Sequence, residues 1–243
     1  MHPLDHAVAR VTRAEEHLRD LIRRTARRGQ AQSEAIKVGP HPTDAKQIVV
    51  DRQRDLPLDP MFGILVGEVC YNLRAALDYL VFELAKLDSG AEQEQTQFPI
   101  ADDAAKFQEQ ARQRLRGLTP THVTAIEALQ PYNHSCEWSR RLRDWSNPDK
   151  HRTLVRVQAE HDLTIHVVDQ QHLHDFEDMP GEIRVVETSD GTPAYVKLRL
   201  GTALQSADNS PVIQPLEEIL TQVARVLERF KLDFGWQSGG NPQ

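Results

Sequence analysis

The sequence predicts an α+β fold, with a helical core around one long central helix, an antiparallel β-meander and a C-terminal amphipathic helix. Three observations predict it. Residues 59–87 form an apolar run far too long for a strand. After residue 152 the apolar spacing shortens to period two. Finally Val212, Leu216, Ile219, Val223, Leu227 and Phe230 recur at three- and four-residue spacing, which places them on one helical stripe.

The first helix is expected over residues 3–28, where Leu4, Val8, Val11, Leu18 and Ile22 share a stripe, with Gly29 as its stop. Its other face is rich in arginine (Arg10, Arg13, Arg19, Arg23, Arg24, Arg27, Arg28), and cations in a last helical turn favour the macrodipole. Residues 35–38 and 47–50 flank Gly39-Pro40-His41-Pro42-Thr43-Asp44 and read as a hairpin with a long loop. Asp59-Pro60 opens the central helix, the aspartate as cap and the proline at the first position; Asp88-Ser89-Gly90 closes it. Phe98-Pro99-Ile100 is an anchored extended segment, because proline disfavours a helical residue before it. Short helices follow over 102–115, 120–129 and 137–145, the last burying Trp138, Leu142 and Trp145. Strands are expected over 153–158, 163–168, 182–187 and 194–200, with Asp190-Gly191 as the final turn. Residues 1–234 read as one domain, with a sub-boundary near 152 as the alternative, and 235–243 as a flexible tail.

Composition narrows the functional classes. Of 243 residues 39% are hydrophobic and 27% charged, as in globular proteins, and the net charge of −7 argues against a surface coated in positive potential. Two cysteines, one of them inside the apolar helix, fit a reducing compartment and a cytoplasmic protein. Charged residues interrupt the longest apolar run, so no membrane span is expected, and no export signal is visible at the start. Glycine loops that cradle phosphates and a Gly-x-Ser-x-Gly elbow are both missing, which removes kinases, dinucleotide enzymes and serine hydrolases of those kinds. His161, His166, His172 and His174 lack metal-ligand spacing, and no cofactor or metal is expected.

The polar residues of the central helix carry the functional expectation. Glu68 and Asn72 are four apart, as are Arg74 and Asp78, within a helix whose other positions demand burial. A buried ion needs a partner, and Asn147-Pro148-Asp149-Lys150-His151-Arg152 is the segment expected to supply one, as a turn before the first long strand. His151 is suited to proton transfer near neutral pH; Lys150, Arg152 and Arg74 are suited to holding an anion.

Asn72-Leu73-Arg74-Ala75-Ala76-Leu77-Asp78-Tyr79, Gln97-Phe98-Pro99-Ile100 and Asp149-Lys150-His151-Arg152 together resemble a group of uncharacterised bacterial proteins, over roughly residues 60–155. That resemblance implies a shared core and no particular activity. The chain also resembles HEPN-type helical ribonucleases, which place an arginine a few residues before a histidine and act without a metal. Arg74 matches the arginine, while Tyr79 stands where the histidine is expected.

Three functions follow as expectations. The first is a binding or accessory protein for an anionic small molecule, with a polar pocket between the central helix and residues 149–152. In that pocket Glu68, Asn72, Asp78, Tyr79, Asp149 and Arg152 bind. The second is a metal-independent ribonuclease acting on RNA, with Arg74, His151 and Lys150 catalytic. The third is a structural protein with a buried ion-pair network, a homodimer through its amphipathic helices.

Overall fold

The computed structural model describes residues 2–44, 47–52, 57–151, 157–168, 182–188, 191–206 and 209–235, with backbone alone at 52, 147–151, 160–168, 199 and 201. Its elements run α1 (Asp5–Glu34), β1 (Ile36–Pro40), β2 (Ile48–Arg52), α2 (Met61–Ser89), α3 (Ala104–Arg114), α4 (Pro120–Glu127), α5 (Glu137–His151), β3 (Val157–Val168), β4 (Glu182–Glu187), β5 (Pro193–Ser206) and α6 (Ile213–Lys231). A short 3-10 helix, Leu232–Phe234, follows α6. The architecture is α+β. The chain divides into two compact units: residues 1–21, 60–156 and 212–243, and residues 22–59 and 157–211.

The first unit is helical. Its centre is α2, which packs against α5 and α6, and these two pack on each other. The expected stripe of α6 is buried from Val212 through Phe230. Trp138 and Leu142 of α5 are likewise core residues, and Trp145 is half-buried. Gly90 ends α2 in the left-handed region (φ 72°), its N–H donating to the Lys86 carbonyl, a conformation that costs glycine little. Asp103 caps α3 by accepting from the Lys106 N–H at 2.8 Å. In the first part of α1 the buried stripe is Leu4, Ala7, Ala14, Leu18 and Leu21, with Val8 and Val11 half-buried and Ile22 exposed. The stripe is thus turned by about one residue from the phase the large aliphatics indicate, with Ala7 and Ala14 taking buried positions in place of Val8 and Val11.

The second unit is mostly sheet. β1 and β2 form the expected hairpin, in register Ile36↔Arg52 through Pro40↔Ile48. The other sheet is antiparallel throughout, in the order β3-β5-β4, so the last strand in sequence is the central one. Where two strands are expected before residue 169, one strand, β3, runs unbroken from 157 and pairs with β5 from Tyr195 to Ser206. Val186, Val196, Leu198 and Ile36 make the core of this unit, and Arg184 ties the hairpin to β4 by donating to the carbonyls of Ile36 and Ser33.

Gly29 does not stop α1, which continues to Glu34. A Cβ at this position would lie 2.9 Å from Thr202 Oγ1, so the glycine serves a close approach of α1 to β5. The last turn of α1 consequently holds no basic residue, and the arginines lie within the helix rather than at its end. Likewise the backbone of 147–151 is the end of α5 instead of a turn. Gly191 (φ 82°) lies at the expected β4–β5 turn, with its N–H on the Thr188 carbonyl. Arg152, His172, His174, Asp190 and residues 236–243 lie outside the described residues.

Candidate functional site

One stripe of α2 escapes burial: Ile64, Glu68, Tyr71, Ala75, Asp78, Phe82 and Lys86 follow each other at three- and four-residue steps, with Tyr79 and Glu83 beside it. An otherwise apolar helix therefore turns a single amphipathic face away from the core. The middle of that face forms one wall of a cavity of about 400 Å³, lined by Tyr71, Arg74, Ala75, Asp78, Tyr79, Phe82 and Glu83 of α2. His6 and Arg10 of α1, with Thr96 of the following loop, complete it. Such a volume suits a small molecule.

Arg74 is only 7% exposed. Its Nη2 donates to the Phe98 carbonyl, and its Nε lies 4.0 Å from Asp78 Oδ1. Asp78 Oδ1 in turn accepts from the Phe98 N–H at 2.9 Å. The pair thus grips both polar groups of one backbone residue, while the Phe98 ring is buried completely. Gln130, also fully buried, extends the grip: its Oε1 accepts from the Ala101 N–H, and its Nε2 donates to the carbonyls of Pro99 and Ile126. An extended segment without a strand partner has these side chains as its substitute for a ladder. Burial pushes the Arg74 pKa below the ordinary arginine value; Asp78 opposes this and the nearby Arg114 charge adds to it. Arg74 Nη1 is buried with no hydrogen-bond partner.

Arg10 reaches the cavity from α1. Its guanidinium carbon is 5.8 Å from the centres of both the Tyr71 and Tyr79 rings, a cation–π arrangement over the small Ala75 between them. Arg10 Nη1 also donates to Asn72 Oδ1 at 3.2 Å. Both tyrosines stay accessible, Tyr71 at 46% and Tyr79 at 36%. The His6 ring meets Tyr79 edge-on, with centroids 6.3 Å apart.

No family model, curated protein or solved structure matches the chain.

Of the residues expected at a site, Arg74, Asp78 and Tyr79 come together around the cavity. Asn72 is buried, holds Arg10 and donates from Nδ2 to the Glu68 carbonyl at 2.8 Å. Glu68 is not a lining residue; its carboxylate lies 3.9 Å from His17 Nε2. Asp149, Lys150 and His151 are in the last turn of α5 with side chains outside the described residues, as is the whole of Arg152. His6, Arg10 and Thr96 were not foreseen. Arg10 looks like one more cation on a solvated face until the α1 stripe is phased on Ala7 and Ala14, which set it beside the packed side. Among the described residues no group of three or more potential ligands is placed to hold a metal ion, and no helix is long and apolar enough to cross a membrane.

Proposed function

We propose that the protein is a binding protein for a small anionic molecule, seated in the cavity between the start of α1 and the polar face of α2. The observation that carries this reading is the buried Arg74 guanidinium with an unpartnered Nη1, lining the same cavity as Arg10. A guanidinium held out of water attracts an anion in the adjoining cavity more strongly than one in solvent would. Arg10 adds a positive charge whose described partners are neutral: an amide and two aromatic rings. The free, buried state of Cys70 and Cys136 is consistent with placing this binding protein in the cytoplasm.

Arg74 and Asp78 also hold the backbone of Phe98, so their removal confounds binding with folding. Arg10 is the cleaner variant. Octanoate and phenyl phosphate at millimolar concentration should raise the melting temperature of the wild type and perturb its NMR spectrum. Arg10→Ala should weaken both probes by about tenfold, the scale of one charged hydrogen bond. Silence of the wild type towards both probes, in both measurements, would sink the reading.

A second reading is metal-independent RNA cleavage, favoured by the meeting of Arg74, Tyr79 and His6 in one cavity. His6 would there take the proton of a ribose 2′-hydroxyl, in the role expected of His151, with Arg74 facing the phosphate. Cleavage of assorted RNAs with chelator present, lost in His6→Ala, is the outcome it requires.

A further inference from the structure

The cavity lining is sorted by charge along α2. Because seven of its residues come from one helical face, distance along the axis follows residue number at about 1.5 Å per residue. Tyr71, Arg74 and Ala75 lie at one end, where Arg10 bonds Asn72 and lies 5.8 Å from the centres of the Tyr71 and Tyr79 rings. Phe82 and Glu83 lie at the other. From Arg74 to Glu83 the separation is about 13 Å along the axis.

The first end is cationic. Arg10 bonds neutral Asn72 and faces two tyrosine rings, and Arg74 keeps one unpartnered Nη1. The second end carries an unused carboxylate: among the described residues half-buried Glu83 and half-buried Thr96 have neither a hydrogen-bond nor an ion-pair partner. Asp78, midway, is one carboxylate against two guanidiniums: it pairs with Arg74 and leaves the Arg10 charge at the first end uncompensated. Between the ends the wall presents the ring of Tyr79, with Phe82 beside Glu83.

A ligand that is only anionic would satisfy Arg10 and leave its far end against Glu83. One that is only cationic would satisfy Glu83 and meet two arginines. We infer that the ligand is bipolar, with a carboxylate or phosphate at the Arg10–Arg74 end and an ammonium at Glu83, joined by an apolar or aromatic stretch roughly 10 Å long. A free α-amino acid is too short, since its two charges share one carbon. An ω-amino acid, or an amine-bearing aromatic acid of that length, fits.

The inference rests on the anion-binding reading, and the test separates the two. The full chain is titrated with 8-aminooctanoate, whose charges stand about 10 Å apart when extended, and with octanoate and octylamine. Affinity is read from ligand-observed NMR. 8-Aminooctanoate should bind about tenfold more tightly than octanoate, with octylamine the weakest. Glu83→Gln should erase that advantage, so that 8-aminooctanoate binds this variant no more tightly than octanoate does. Glu83→Lys should transfer the preference to the dicarboxylate nonanedioate. Arg10→Ala should weaken both carboxylates. Unchanged melting temperatures of the Glu83 variants establish that the site is intact. If octanoate binds as tightly as 8-aminooctanoate, or the preference survives Glu83→Gln, the bipolar ligand is excluded and anion binding stands. If neither carboxylate binds the wild type, anion binding fails and the bipolar ligand falls with it.

Discussion

Asp78 and Gln130 show how much of the α2 polar face serves the backbone beside it. Replacing Asp78 by alanine leaves the Phe98 N–H unpaired and Arg74 without its carboxylate, a loss of about 1–3 kcal/mol. Asp78→Asn keeps an oxygen where Oδ1 accepts, and should cost about 1 kcal/mol or less. Gln130→Ala orphans the Ala101 N–H and the Pro99 carbonyl together and should cost about 2–4 kcal/mol. Urea unfolding measures all three, and equal losses for Asp78→Ala and Asp78→Asn would refute the acceptor role. Because Arg74 and Asp78 share the grip on Phe98, their effects should not add in a double mutant. The same pair was visible beforehand as charge inside an apolar helix, which is why the sequence singles them out. Their partner was not visible, since it is the backbone of a residue twenty positions away and a backbone amide has no signature in sequence.

Elements were legible where periodicity alone decides them. The α2 and α6 helices, the β1–β2 hairpin and β4 are where the apolar pattern puts them, because each buries a face that its own spacing defines. What failed needed knowledge of a neighbour. Gly29 reads as a stop in isolation, yet Thr202 explains it as a contact. Gly29→Ala should therefore lower the stability of the β-sheet unit despite alanine's advantage of about 1 kcal/mol in a helix interior. Thr202→Ala should recover part of the loss, and a gain in stability from Gly29→Ala alone would refute the contact. The packing of α4 against the end of α2 has its own pH signature. Asp88 of α2 is half-buried, which by itself raises its carboxyl pKa, but the Thr119 N–H at 2.6 Å and His122 Nδ1 at 2.7 Å outweigh that and hold it below the ordinary aspartate value. On its other side His122 Nε2 lies 3.5 Å from Asp233 of the terminal 3-10 helix. A folded-state pKa below the unfolded one contributes stability above the unfolded value, about 3.9, and that contribution is lost as pH falls through the folded value. Asp88→Asn should consequently be less stable at neutral pH and show a shallower decline below about pH 4. Urea midpoints measured across pH with the same slope in both proteins would contradict this.

At the scale of the whole molecule, net charge separates the two functional readings. The chain carries −7, so its field repels a polyanion, and binding RNA would depend on the few cations of the cavity. For a single-stranded nucleic acid the logarithm of affinity falls with the logarithm of salt by about 0.7 per phosphate neutralised. With Arg10 and Arg74 as two such contacts, raising salt from about 50 to about 200 mM should weaken RNA roughly sevenfold. An amino acid such as 8-aminooctanoate has no net charge, is neither steered nor repelled by the rest of the protein, and places its groups against partly desolvated partners that salt screens little. Its affinity over the same range should change by less than about twofold. The titration of 8-aminooctanoate and of a short RNA at both salt concentrations thus distinguishes the readings even where both bind. A steep decline for the amino acid would show that it is held by exposed charge on the surface, and would move the site out of the α1–α2 cavity.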